Sequence, residues 1–135
     1  MVEIIKNLYL CSWYEAQELV PKLDNPFVIN CTKNLDFLCL DTQRIPINDH
    51  REQEDTLFLN GVIKEITDMI HNNLTEKTPV VVHCQAGRQR SAAVIAGYLM
   101  KYHGYSLENV IEFIRSKKRE AFFPEVNFLD TLKFI

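Results

Sequence analysis

The sequence contains no apolar run close to the roughly 20 residues that a membrane-spanning helix needs. Repeats, low-complexity segments and Gly/Ser-rich linkers are also missing, and the 135 residues include only 4 glycines. The first residues alternate charged and apolar side chains, which is not the pattern of a secretory signal peptide. We therefore expect no integral membrane segment and a single domain over residues 1–135.

An excess of charge of one sign is absent as well. Lys and Arg total 15, Asp and Glu total 18, and the formal net charge is −3. A chain without a net positive field does not attract nucleic acid or an anionic membrane as a whole, so any anion must be bound locally. The hydrophobic content of 47% and charged content of 24% are typical of a soluble globular protein and exclude a disordered chain.

The 4 cysteines never occur in a Cys-x-x-Cys spacing, which argues against a structural zinc site and predicts no metal. Without a secretory signal, free thiols in a reducing compartment are the expected state. We therefore expect a cytoplasmic protein, with the nucleus as the alternative location.

Apolar patterning predicts strands that alternate with helices. The strands are expected at residues 7–11, 27–31, 43–47 and 79–84. The helices are expected from Ser12 to about residue 20, from 55 to about 72, from 91 to about 102, after Ser106, and from Pro124 through Leu132. This order indicates an α/β fold with a mostly parallel central sheet of four to five strands, flanked by helices on both faces. Ligands of such sheets bind at the carboxyl ends of the strands.

The helix at residues 55–72 has the clearest amphipathic pattern of the chain. Its apolar residues recur at helical spacing and are expected to form a stripe that faces the core. They are Phe58, Leu59, Val62, Ile63, Ile66, Met69 and Ile70.

The end of the central strand carries the most informative motif. The β-branched run 80–82 leads into His83 and Cys84, and a short loop with Gly87 then leads to Arg90 and Ser91 at the start of a helix. Cys-x5-Arg alone is a weak signal because it often occurs by chance. Its position between a buried strand and a helix N-terminus argues against a chance match. That position stabilises both a thiolate and an oxyanion such as phosphate.

This loop has the groups that phosphoryl transfer to sulfur requires. Cys84 is the candidate nucleophile, which would attack phosphorus and form a cysteinyl-phosphate. The guanidinium of Arg90 is expected to grip two phosphate oxygens. Ser91 Oγ is expected to donate to the sulfur, and His83 to hold the shape of the loop rather than to act as a base. The candidate phosphate-binding residues are Gln85, Ala86, Gly87, Arg88, Gln89 and Arg90.

The chemistry also requires a carboxylic acid upstream of the loop. The leaving oxygen needs a proton and the later hydrolysis needs a base, and one carboxyl group can serve both steps. Asp49 comes first after the third predicted strand and is the candidate. Asp55 is expected to cap the following helix, while Glu52 and Glu54 are expected to be solvated loop charges.

Together these residues resemble the dual-specificity phosphatase family of the cysteine-dependent protein tyrosine phosphatases. The family signature His-Cys-x-x-Gly-x-x-Arg-Ser matches residues 83–91, and the likeness extends through residues 7–10, 45–49, 98–100 and 115–128. The resemblance implies a phosphotyrosine-phosphatase-like fold, Cys84 as nucleophile, Arg90 as phosphate binder, Asp49 as general acid, and no cofactor or metal. The implied substrates are proteins phosphorylated on tyrosine, serine or threonine.

Five positions depart from the family pattern. Cys11 stands near the end of the first strand, where glycine is often found in the family. Arg88 stands where an apolar residue is common, and the extra cation resembles phosphatases of phosphoinositides or phosphatidylglycerophosphate. A phospholipid or an RNA 5′-phosphate is therefore the alternative substrate. Gln89 stands where Ser or Gly is common, and either is inert or positions the hydrolytic water. In the C-terminal part, the usual Pro-Asn-x-Gly-Phe is changed at Glu125 and Asn127.

Two other classes of protein use a similar loop. An inactive phosphate-binding module would lack turnover, but Cys84 and Asp49 argue against it. A sulfurtransferase also places a cysteine between a strand and a helix, but it has no need of Asp49 or Ser91. Cys31, expected next to the central strand, is either a buried free thiol or a redox partner of Cys84. The oligomeric state is left open, with a monomer preferred.

Overall fold

The computed structural model describes residues 1–49, 52–133 and 135, which form a five-stranded sheet and five α-helices. The strands are β1 (Val2–Ile5), β2 (Leu8–Ser12), β3 (Phe27–Asn30), β4 (Thr42–Arg44) and β5 (Val80–Cys84). The helices are α1 (Trp13–Leu19), α2 (Gln53–Thr75), α3 (Arg90–His103), α4 (Leu107–Lys117) and α5 (Leu129–Lys133). None of these helices is long and apolar enough to cross a membrane.

The sheet has the order β1-β2-β5-β3-β4, with β5 at its centre. β5 pairs in parallel with both β2 and β3, β3 pairs in parallel with β4, and only β1 runs antiparallel. All five residues of β5 are buried. The predicted α/β fold with a mostly parallel sheet is therefore confirmed, and Cys84 ends the central strand.

Alternate residues of β5 face two different apolar layers. Val80 and Val82 pack into the large core formed with α2, α3, α4 and α5, whereas Val81 packs on the other face with Ala16 and Leu19 of α1. A strand covered on both faces needs apolar residues at every position, which explains the unbroken β-branched run in the sequence. Helices therefore cover both faces, as the sequence predicts.

Local capping explains where the predicted helices begin and end. Ser12 Oγ accepts from the Glu15 N–H at 3.1 Å and Glu15 Oε1 accepts from the Ser12 N–H at 2.8 Å, so the predicted capping box opens α1. Ser106 Oγ accepts from the Asn109 N–H at 3.1 Å and caps α4. Gly104 follows α3 with a left-handed φ of 72°, the C-terminal cap that glycine favours.

The edges of the sheet differ from the prediction. β1 was not expected, and it forms because the alternating first residues pair antiparallel with β2. β4 is shorter than the predicted strand 43–47. Ile45 still donates to Asn30 O at 2.8 Å, but Pro46 has no N–H with which to continue the ladder.

Two helices also differ from the prediction. α2 begins before Asp55, so that residue is not its N-cap; the Asp55 carboxylate is buried and accepts instead from the Asn48 N–H at 3.1 Å. Leu59, Ile66 and Ile70 of its stripe are buried, but Phe58 is 43% exposed because α2 turns this position away from the core. Pro124 does not open the last helix, since α5 begins only at Leu129.

Candidate active site

The cleft at the carboxyl ends of the parallel strands has a volume of about 680 Å³. It brings together residues from the loop after β5, the loop after β3, the segment after β4 and the start of α1. The lining residues are Ser12, Tyr14, Lys33, Asn34, Asn48, Asp49, Gln85, Ala86, Arg88 and Arg90. Asp49 and four of the predicted loop residues therefore share one cleft, although they lie far apart in the sequence.

Cys84 ends β5, and two groups form hydrogen bonds with its sulfur. The Gly87 N–H donates to Cys84 Sγ at 3.2 Å, and Ser91 Oγ lies 3.2 Å from the same atom. The residue is only 1% exposed. The contact with Ser91 also places the sulfur beside the N-terminus of α3, which carries a partial positive charge.

Hydrogen bonds from neighbouring elements hold the carbonyl groups of the loop outward. Gln85 O accepts from the Trp13 N–H at 3.1 Å, Ala86 O from Lys118 Nζ at 3.2 Å, and Arg88 O from the Phe122 N–H at 2.9 Å. In a trans peptide the next N–H points opposite to the carbonyl. The N–H groups of residues 86, 87 and 89 are therefore turned toward the inside of the loop, as a nest for an anion requires.

Gly87 is needed at its position for two reasons. Its φ is 71°, in the left-handed region that glycine favours. A Cβ at this position would also lie 2.6 Å from Lys118 Nζ and 2.7 Å from Cys11 O. The loop therefore closes tightly against β2 and Lys118, and no larger residue fits there without a shift.

Arg90 is the first residue of α3 and connects the loop to the segment that carries Asp49. One of its terminal nitrogens donates to Ile47 O at 3.1 Å. Its buried Nε has no hydrogen-bond partner among the described residues. A guanidinium has five N–H donors, so the remaining ones suit the oxygens of a bound phosphate.

His83 is fully buried and is not suited to proton transfer. Its Nδ1 lies 3.3 Å from Cys84 O, and its Nε2 has no partner among the described residues. The pKa of His83 is lowered to about 4, chiefly by burial and also by the nearby charges of Arg44 and Arg90, against the opposing effect of the hydrogen bond to the Cys84 backbone. The imidazole is therefore neutral near pH 7 and contacts the backbone of the loop.

Gln89 does not face the cleft with its side chain. The side chain is 4% exposed and bonds to residues 123–127, which lie beyond α4. Arg88 is exposed and lines the cleft rim. The two departures from the family loop therefore have different surroundings, one inside the protein and one at the entrance.

Sequence reasoning missed two residues at the site. Lys118, whose side chain is 12% exposed, donates to the loop carbonyl of Ala86 and lies 3.9 Å from Glu15 Oε1. Burial lowers the pKa of Lys118. Asn127 Nδ2 donates to Asp49 O at 2.9 Å and to Asp49 Oδ1 at 3.3 Å. The changed Pro-Asn-x-Gly-Phe pattern marked the Asn127 segment as unusual, but nothing in the sequence connected it with Asp49.

The structure contains 4 free cysteines. Cys31 is a buried free thiol, and burial raises its pKa well above the usual value. Burial likewise raises the pKa of Cys11 to about 11. Both thiols are therefore protonated and unreactive near pH 7.

Comparisons with known proteins agree with this geometry. The model of the dual specificity phosphatase catalytic domain matches residues 8–134. A putative tyrosine phosphatase of Invertebrate iridescent virus 6 is 32% identical over 96% of this chain and 87% of its own length. Dual specificity protein phosphatase 9 of Homo sapiens is 33% identical over 97% of this chain, which spans only 35% of that relative.

Solved structures show the same fold. The crystal structure of human DUSP28 superposes with a TM-score of 0.86 at 22% identity and covers 99% of this chain and 94% of its own. That of DUSP15 has a TM-score of 0.84 at 25% identity and covers 99% of this chain and 85% of its own. The family match excludes the sulfurtransferase alternative. The chain belongs to the dual specificity phosphatase family and carries the catalytic domain of a cysteine-dependent protein phosphatase.

Proposed function

We propose that this domain hydrolyses phosphate monoesters on tyrosine, serine and threonine side chains of proteins, through a phosphate bound covalently to Cys84. The observation that carries the proposal is that the Gly87 N–H and Ser91 Oγ both contact Cys84 Sγ at 3.2 Å, in a loop whose N–H groups point inward. An anion-binding loop around a sulfur nucleophile suits phosphoryl transfer. The same groups have no evident use in a buried structural thiol.

In the first step the Cys84 thiolate forms a bond to phosphorus while the bond from phosphorus to the substrate oxygen breaks. The Asp49 carboxyl group gives its proton to that leaving oxygen, so the substrate departs as an alcohol or phenol. The inward N–H groups of the loop and the Arg90 guanidinium stabilise the negative charge on the three other phosphate oxygens.

In the second step a water molecule forms a bond to phosphorus while the sulfur–phosphorus bond breaks. The Asp49 carboxylate takes the proton from that water, which restores the acid for the next cycle. The sulfur leaves as a thiolate, which accepts a hydrogen bond from Ser91 Oγ. The products are inorganic phosphate and the free enzyme, and the cycle uses no metal or cofactor.

The relatives support phosphoproteins as the substrate class, because those found are named as tyrosine or dual specificity protein phosphatases. An exposed rim with Gln85, Ala86 and Arg88 suits a phosphorylated side chain on a protein surface. We propose that Arg88 contacts groups next to the phosphate and does not select a phospholipid or RNA 5′-phosphate. We also propose a single-domain, monomeric catalytic unit that works in the reducing cytoplasm, where a reactive thiolate persists.

The proposal is tested with an aryl phosphate and a phosphotyrosine peptide in the presence of a chelator. The wild type is expected to turn over both, vanadate to inhibit it, and Cys84→Ser to lose activity while the fold is retained by circular dichroism. Full activity in Cys84→Ser, or loss of activity on chelation, would overturn the mechanism. Arg88→Ala, assayed on phosphopeptides and on phosphoinositides, then checks the substrate class: a loss confined to phosphoinositides would contradict the choice of phosphoproteins.

A further inference from the structure

We propose that Gln89 and Asn127 are positioning residues that hold the carboxyl group of Asp49 over the phosphate-binding loop. The proposal rests on the proposed function, in which Asp49 is the general acid and base. It assigns a role to Gln89 and Asn127, which are two of the positions where the chain departs from its family pattern, and neither side chain needs to contact the reacting atoms.

The side-chain amide of Gln89 forms three hydrogen bonds with one neighbouring segment, residues 123–127. Its Nε2 donates to Phe123 O at 3.3 Å and to Glu125 O at 2.7 Å, and its Oε1 accepts from the Asn127 N–H at 3.1 Å. An amide nitrogen has two hydrogens, so neither is left to orient a water molecule. These three partly buried hydrogen bonds fix residues 123–127 relative to the loop, because Gln89 itself lies within the loop.

Asn127 connects Gln89 with Asp49 because it forms hydrogen bonds with both residues. Its backbone N–H is held by Gln89, and the two hydrogens of its Nδ2 serve Asp49 O at 2.9 Å and Asp49 Oδ1 at 3.3 Å. Gripping both the main chain and one carboxylate oxygen restricts the side-chain rotation of Asp49.

The connection matters because a general acid works only within hydrogen-bond distance of the leaving oxygen. Asp49 comes from the segment after β4, whereas the phosphate is held by the loop after β5. Gln89 and Asn127 are separated from each other by 38 residues and Asn127 from Asp49 by 78, so this network ties three distant segments together. The network therefore acts in addition to the other contacts of the Asp49 segment, among them the Arg90 bond to Ile47 O at 3.1 Å.

The test compares kcat/KM for phenyl phosphate, whose leaving group needs protonation, with kcat/KM for p-nitrophenyl phosphate, whose leaving group does not. Asn127→Ala is expected to lower the first value about three- to tenfold, the usual effect of a lost hydrogen bond, and to leave the second nearly unchanged. Gln89 belongs to the phosphate-binding loop itself, so for Gln89→Ala the expected result is a fall of about three- to tenfold in the ratio of the first value to the second. Asp49→Ala removes the acid itself and should therefore cause the largest selective loss of kcat/KM on phenyl phosphate. The matched controls are Asn109→Ala and Gln17→Ala, which change exposed residues. Both should have the kcat/KM of the wild type on both substrates.

A double variant separates positioning from general structural damage. Adding Asn127→Ala to Asp49→Ala should cause no further loss on phenyl phosphate, because the residue then has no acid to position. Equal losses on both substrates, or additive losses in the double variant, would overturn the inference. If Gln89→Ala does not fold, Gln89→Glu keeps the size and the acceptor but loses both donors, and the same selective loss is expected. An active wild type with no Asp49-dependent leaving-group effect would instead refute the proposed role of Asp49.

Discussion

At the scale of one residue, His83 shows that burial can make a histidine unsuited to proton transfer even though it lies next to the candidate nucleophile. A histidine beside a nucleophilic cysteine invites the role of a base, but its ring is enclosed and contacts the backbone carbonyl of Cys84. Its pKa of about 4 keeps it neutral at the pH at which the loop must hold a dianion. A neutral ring supports the loop without adding a titrating charge to it.

The depressed pKa of His83 predicts a loss of stability in acid. The unfolded chain binds a proton at His83 below about pH 6.5, whereas the folded protein does so only below about pH 4. Between these values the unfolded state holds more protons, so the free energy of unfolding falls as the pH falls, by up to about 3 kcal/mol from this group. Urea unfolding at pH 7 and pH 4.5 should show a smaller difference for His83→Asn than for the wild type. The same difference in both proteins would contradict the buried neutral histidine.

At the scale of elements, the tight contact behind the loop makes glycine at position 87 a requirement for activity. Gly87→Ala should lower kcat/KM sharply, since its Cβ would press on Lys118 Nζ and Cys11 O and displace the inward N–H groups. Gly104→Ala is the matched control, because it has a similar φ of 72° but open space around the new methyl group. It should cost about 1 kcal/mol of stability and leave kcat/KM unchanged. Similar kinetic losses in both variants would show that backbone strain, and not contact with the loop, is responsible.

The elements also show what the sequence can predict. The buried strand β5 and the helices α3 and α4 were predictable because an unbroken β-branched run, Ser106 and Gly104 are strong local signals. β1 was not, because an edge strand of 4 residues depends on its pairing with β2. Pro124 misled the prediction of α5, since a proline suits a turn as well as a first helical turn.

The candidate site likewise contains residues that the sequence predicts and residues that it does not. Residues 83–91 are contiguous, so one motif predicts the whole loop, and the segment after β4 predicts Asp49 by its place at a strand end. The contacts of Lys118, Gln89 and Asn127 join residues more than 30 positions apart. Such contacts follow from the packing of complete elements, and a single sequence has no local signal for them.

At the scale of the whole molecule, the site is assembled from segments that the central sheet brings to one edge. In the proposed reaction the loop after β5 would hold the phosphate and the segment after β4 would supply the acid, and Lys118 and Asn127 contact these two segments. The parallel order β2-β5-β3-β4 makes this possible, because all four carboxyl ends lie on the same side. The proposed reaction therefore depends on Cys84 carrying the phosphoryl group between the two steps.

That role of Cys84 is tested most directly by trapping the intermediate. In Asp49→Ala, p-nitrophenyl phosphate can still phosphorylate the enzyme, but the hydrolytic water lacks its base, so the covalent intermediate should accumulate. Rapid acid quench and intact mass spectrometry should show the addition of one phosphoryl group, mapped to Cys84 and absent when Cys84→Ser is also present. A turning-over enzyme with no such adduct, or an adduct that persists without Cys84, would contradict the account.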